Sequence, residues 1–151
     1  MSFQFRFASI MDLRRRQRDE AGAAVGKANQ AIAKIDQQSD EVRRLQQEIR
    51  DQTASGRVGE VAVERLLSTG RYEMQLQADL VQLQETRNEL VRERDRRQAA
   101  LVEAEAEVKR FERLESNERD FYQSEMRRHE QADADERSNQ AYILARRKPA
   151  T

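Results

Sequence analysis

The chain contains no cysteine, no tryptophan, a single proline and five glycines. Without cysteine, disulfides and thiolate metal sites are excluded. Aromatic residues make up only 5% of the sequence and charged residues 37%. Mean hydropathy is −1.02. A globular core of ordinary thickness cannot be built from so little apolar material. Net charge of one sign is missing too: 28 basic residues balance 28 acidic ones. No global field therefore draws the chain to nucleic acid or anionic lipid. No run approaches the roughly 20 apolar residues of a membrane span. The N-terminus has no signal-peptide apolar core, so a soluble cytoplasmic protein is expected. What remains is rich in Ala, Glu, Arg, Gln and Leu. With glycine and proline scarce, that mixture favours long helix or coiled coil over disorder.

Periodicity agrees with composition. Ala21, Ala24, Ala28, Ala31, Ile35, Val42, Leu45 and Ile49 recur at spacings of three and four, with Gln38 the one polar member. That is a coiled-coil seam. A second seam runs through Leu76, Leu80, Leu83, Leu90, Leu101, Ala104, Val108 and Phe111, interrupted by Arg87, Arg94 and Arg97. Opposite charges four apart decorate the outer faces at Asp40/Arg44, Glu93/Arg97, Glu105/Lys109, Glu115/Arg119 and Asp133/Arg137. Each such pair adds about 0.2–0.5 kcal/mol to a helix.

Between the seams lies TASGRVGEVAVERLLSTGR, with Gly56, Gly59 and Gly70. Glycine ends helices by accepting the left-handed cap conformation. Thr53 to Gly59 reads as the turn, Glu60 to Ser68 as a short helix, and Gly70 as a kink or break. Ser9 followed by Asp12 is a capping-box pattern for the first helix, with Asp standing in for the usual Glu. The expected architecture is all-α: one domain, a long two-helix antiparallel coiled-coil hairpin with a short helix near the turn. Helix 1 covers about residues 9–52, the turn and short helix 53–70, and helix 2 about 71–145. In this register Ala21 to Ala33 faces roughly Glu89 to Ala100, so small residues oppose arginine stems that reach past them to water. A two-helix seam leaves much of its apolar surface available to others, which points to an interaction protein.

The inventory of reactive residues is thin. His129, with Glu125 and Asp133 one turn to either side, is the one imaginable metal site, and on a solvated helix it lacks a pocket, a second shell and a fourth ligand. No Gly-rich phosphate loop follows a strand. No carboxylate sits in an apolar hollow. No enzyme, cofactor or metal centre is expected. Arg14, Arg15, Arg16 and Arg18, and again Arg92 to Arg97, form basic runs. Asp12, Asp19, Glu20, Glu93 and Asp95 break them, and the residues that read bases from a basic helix are missing. Solvated helix faces account for them better than nucleic-acid binding.

The opening FQFRFASIMDLRRRQRDE resembles the amino-terminal signature of the FliJ family of flagellar export proteins. The matching residues are Phe3, Phe5, Arg6, Phe7, Ile10, Met11, Leu13 and Arg14. VKRFERLESNERDFY, residues 108–122, is similar to the family's second-helix segment of basic residues around Phe-Glu-Arg. The tail LARRKPAT is similar to basic family tails ending near Arg-Lys-Pro. The stretch from Gln52 to Gly70 matches no family pattern.

The resemblance implies a fold and a set of partners. Such proteins are two-helix antiparallel coiled coils similar to the central stalk of rotary ATPases. They sit within the hexameric flagellar export ATPase, promote its assembly, contact the cytoplasmic domain of the export gate, and meet export chaperones. The expected location is the cytoplasmic face of the cell membrane, reached through the gate, with no nucleic acid involved. Carried onto this chain, the ATPase-binding residues are Phe3, Phe5, Phe7, Met11, Leu13, Tyr142, Ile143, Leu144, Arg146 and Arg147, with Phe121, Tyr122 and Met126 gathered beside them and Lys148 adding charge. The alternative for the phenylalanines is that they simply cap the hairpin's own open end. The export-gate surface is carried by Gln38, Val42, Leu45, Ile49, Tyr72, Leu76, Asp79 and Leu83, most of which also fit the seam. A related stalk of a virulence type III secretion system, or a generic coiled-coil scaffold or zipper dimer with or without nucleic-acid binding, stays open. A hairpin is expected to be a monomer about 70–90 Å long, and a zipper a dimer about twice that length, at about 1.5 Å per residue.

Overall fold

The computed structural model describes residues 2–55 and 63–147. Two α-helices account for most of them: α1, Ala8–Ser55, of 48 residues, and α2, Val63–Arg147, of 85. No strand occurs among the described residues. The helices pack against each other as an antiparallel hairpin. The chain divides into two compact units, one of Gln17–Ala104 and one made of the residues up to Arg16 with those from Glu105 onward.

In the Gln17–Ala104 unit the helices run antiparallel, and three polar contacts fix their register. Arg97 Nη1 donates to the Ala24 carbonyl at 2.8 Å. Arg87 Nε donates to Asp36 Oδ1 at 2.7 Å. Gln46 Nε2 donates to Gln77 Oε1 at 3.3 Å. As α1 ascends from 24 to 46, its partner on α2 descends from 97 to 77. Alanines of α1 thus face arginine stems of α2, as the volume match requires. The buried side chains here are Val25, Ala28, Ile32, Ser39, Ile49 and Leu76. Burying each larger aliphatic one contributes about 1.5–3 kcal/mol. No α2 residue from 77 to 104 is buried. Along that stretch the half-buried Leu80, Leu83, Leu90 and Leu101 and the polar pins share the pairing.

The α2 seam has every expected member: from Leu76 to Phe111 each named position, arginines included, is buried or half-buried. On α1 the column Ala28, Ile35, Val42, Ile49 faces inward. Its companion column differs from expectation. Val25, Ile32 and Ser39 are buried, while Ala24, Ala31 and Leu45 are only half-buried and Gln38 is exposed. The helix rolls toward Val25 and Ile32 because they bring larger apolar side chains to the seam than Ala24 and Ala31 do.

Three local expectations are corrected. Gly70 does not break the helix: α2 passes through it, and Val63 to Ser68 form its opening turns rather than a separate short helix. α1 continues past Gln52 to Ser55, with Thr53 Oγ1 donating to the Ile49 carbonyl at 2.8 Å. The expected turn at Gly56 and Gly59, and the start at Glu60, lie outside the described residues. The Ser9/Asp12 capping box does not form. α1 begins at Ala8, so Ser9 lies inside the first turn, and Asp12 pairs with Arg15 at 3.8 Å. Entry into the helix is made instead by a turn in which the Ala8 amide donates to the Phe5 carbonyl at 3.2 Å.

Of the outer-face pairs, Glu93–Arg97 and Glu115–Arg119 close at 3.1 Å each. Asp40 pairs with Arg43 rather than Arg44, at 3.2 Å. On a helix either spacing brings side chains together.

Candidate functional site

Residues 2–7 are not helical and form a strap across α2 in the terminal unit. Phe3 packs on Tyr122, ring centroids 5.7 Å apart. Phe7 meets Phe111 edge-on at 6.5 Å, and Phe5 meets Phe7 at 5.8 Å. Phe3 and Phe7 thus reach α2 directly, and Phe5 packs between the turn and the Phe7 ring. Arg6, between them, points outward and pairs with Glu118 at 3.3 Å. The Arg119 guanidinium lies 5.5 Å from the Phe3 ring centre. Such contacts contribute about 0.5–1.5 kcal/mol each beyond area burial.

These contacts sort the terminal candidates. Phe5 and Met11 are 9% and 5% exposed and belong to the chain's own packing. Phe3 and Phe7 are half-buried. Leu13 is exposed. Phe121, 68% exposed, lines a shallow hollow of ≈ 480 Å³ with Phe3, Arg6 and Tyr122. Every residue from 126 to 147 is exposed. Tyr142, Ile143 and Leu144 stand on that stretch, with Arg146 stacked on the Tyr142 ring at 5.5 Å. The structure thus joins Phe3, Phe7, Phe111, Phe121 and Tyr122, and leaves Tyr142 to Arg147 unaccompanied. Phe111 was legible as a seam residue and as the Phe of the family-like Phe-Glu-Arg, not as a partner of the strap. Lys148 lies outside the described residues.

In the other unit, Gln38, Val42, Leu45, Asp79 and Leu83 line one groove of ≈ 420 Å³, together with Glu41, Gln82 and Thr86. Ile49 and Leu76 are buried in the core. Tyr72 is exposed and does not line the groove. Glu41, Gln82 and Thr86 were missed because nothing but their placement beside the seam distinguishes them from other polar helix residues.

Charge is arranged along α2 in small networks. Glu93 accepts from Arg96 Nη2 at 2.6 Å and from Arg97 Nε at 3.1 Å. These hydrogen bonds, Arg96's first, hold its carboxyl below the ordinary glutamate value. Asp36 raises the already high pKa of Arg87 by hydrogen bonding and then by charge. Near His129, Glu125 pairs with Arg128 at 3.1 Å, and no group of three or more His, Asp or Glu side chains converges among the described residues. No helix of the described residues is long and apolar enough to cross a membrane. Two open surfaces, one groove between helices and one exposed helix end, are features of a protein that binds other proteins.

The family profile described as "Flagellar FliJ protein" matches residues 3–147. No curated protein and no solved structure matches the chain.

Proposed function

Because the chain belongs to the FliJ family and so is a component of the flagellar export apparatus, we propose that it serves that apparatus as a non-catalytic stalk. In this reading it enters the export ATPase hexamer, promotes its assembly, and couples it to the cytoplasmic domain of the export gate. The observation that carries the proposal is the bare end of α2. Residues 126–147 are exposed, with no helix among the described residues laid along them, and they end on Tyr142, Ile143, Leu144, Arg146 and Arg147. An isolated polar helix of that length is marginal in water and gains order by docking. The ATPase contact is assigned to this end, with Phe121 and Leu13 as further exposed apolar residues. Phe3, Phe5, Phe7 and Met11 act one step back, as a clasp that fixes the α2 segment from 111 to 122.

The groove at Gln38, Val42, Leu45, Asp79 and Leu83 is assigned to the export gate, with exposed Tyr72 as a separate contact. Ile49 and Leu76 support the groove from the core. Chaperones that escort export substrates are further partners, and association with the membrane is indirect, through the gate. Deleting residues 141–151 tests the ATPase assignment. The truncated chain is expected to lose capture of the export ATPase in a pull-down while keeping its helical circular dichroism. Undiminished capture would refute it.

A further inference from the structure

Beyond that reading, we infer that α1 is a roller with two positions on α2, and that the position it takes opens or shuts the groove at Gln38 and Leu83. What the roll means for export rests on the assignment of that groove to the gate; the roll itself does not.

α1 offers α2 one constant column and two alternative ones. Ala28, Ile35, Val42 and Ile49 form the constant column. At about 100° per residue, Val25, Ile32, Ser39 and Gln46 flank it on one side, and Ala24, Ala31, Gln38 and Leu45 on the other. The two halves of the helix disagree over which flank to bury. Early on, Val25 and Ile32 carry more apolar surface than Ala24 and Ala31. Later the preference reverses, since Leu45 carries more than Gln46. Within one continuous helix a single roll has to serve both halves. The early preference wins: Ser39, a polar residue, is 8% exposed, while Leu45 is left half-buried and Gln38 exposed.

Two polar contacts hold this position, and both lie on the Val25 flank. Asp36 Oδ1 accepts from Arg87 Nε at 2.7 Å, and Gln46 Nε2 donates to Gln77 Oε1 at 3.3 Å. The paired side chains of Asp36 and Arg87 are 48% and 38% exposed. Surface pairs of this kind add little stability, so the position is held lightly.

The groove is the consequence. From α1 it is lined by Gln38, Glu41, Val42 and Leu45, the flank that the roll turns away from α2. Its ≈ 420 Å³ is space that Gln38 and Leu45 would enter if α1 turned back toward Leu83 and Thr86. Asp79, on the same far wall, disfavours apolar contact with Leu45 and makes the shut position the minor one. Small rotations of packed helices are an established means of switching between discrete states. The side chains that drive the roll stand away from the groove, with Ile32 about 15 Å from Val42 along the helix. A partner seated in the groove binds only the open position. It therefore strengthens the packing at Val25 and Ile32, and tighter packing there strengthens the partner's binding by the same factor.

The full chain has no cysteine, so single introduced thiols report the roll through their exposure. Iodoacetamide labelling is followed for Gln38→Cys and for Ser39→Cys, each alone and each combined with Ile32→Ala and Asp36→Ala, which remove a driver and a pin. Alone, Gln38→Cys should label about tenfold faster than Ser39→Cys, as burial protects the latter. With the two alanines present, labelling of Gln38→Cys should slow and that of Ser39→Cys should quicken, each several-fold. Simple loosening of the hairpin quickens both. Rates that rise together, or that do not move, overturn the inference. If circular dichroism shows that the combined variant unfolds, Asp36→Ala alone, at a half-exposed pin, should still move the two rates in opposite directions, and its failure to do so overturns the inference equally. Capture of the export gate's cytoplasmic domain should fall several-fold in the Ile32→Ala, Asp36→Ala chain. Opposite rate changes with undiminished capture would support the roll and refute only the gate assignment.

Discussion

Glu93 shows how single side chains act in a protein with almost no interior. Two arginines hydrogen-bond its carboxylate and depress its pKa. Folding therefore favours the ionised form. That contribution is fully present above the unfolded-state value and is lost as pH falls through the lower folded one. The carboxyl resonance of Glu93 should titrate with a midpoint below 4.5, the ordinary value, and Glu93→Gln should remove that part of the acid dependence of thermal unfolding. The Arg87–Asp36 pair behaves differently, since a raised arginine pKa keeps Arg87 charged throughout the working range. Gly26 offers a second residue-scale prediction. Nothing lies within 4 Å of a Cβ added there, so Gly26→Ala should stabilise the chain by about 0.5–1 kcal/mol through helix propensity alone. Urea unfolding with an unchanged m-value checks it.

Among the elements, the strap and the bare end of α2 make opposite predictions. Phe5 is buried within the strap and packs on Phe7. Phe5→Ala should cost about 3 kcal/mol, the lower end for truncating a buried phenylalanine, because a strap relaxes more easily than a closed core. It should also speed amide exchange around residues 111–122. Residues 126–147, fully exposed in the free chain, should exchange fastest among the helical amides and slow when the export ATPase is added. How much of this was readable in the sequence differs between the helices. The α2 seam was legible from Leu76 to Phe111 because its leucines keep one three–four register there through the arginines that interrupt them. On α1 only the column through Ala28, Ile35, Val42 and Ile49 was legible. Alanine is too small to say which neighbouring column faces inward, and Val25 and Ile32 decided it. Gly70 looked like a break because glycine ends many helices, yet one glycine costs only about 1 kcal/mol, which 85 residues of helix outweigh. The strap's phenylalanines were legible as a cluster, and Tyr122 was expected beside them. The Phe7–Phe111 pairing was not, since pairing across the chain leaves no local signal.

For the whole molecule, the antiparallel pairing in each unit makes this a hairpin and not a zipper. The isolated chain should therefore sediment as a monomer, and a concentration-independent dimer would contradict that. The stalk assignment makes its own demand: the chain must change what the export ATPase does, and must do so through the bare end of α2. The most direct measurement is the turnover of the export ATPase titrated with the intact chain and with a chain lacking residues 141–151. The account predicts that the intact chain raises hexamer formation and turnover and that the shortened chain, still helical, does neither. Turnover indifferent to the intact chain, or raised equally by both, would contradict it.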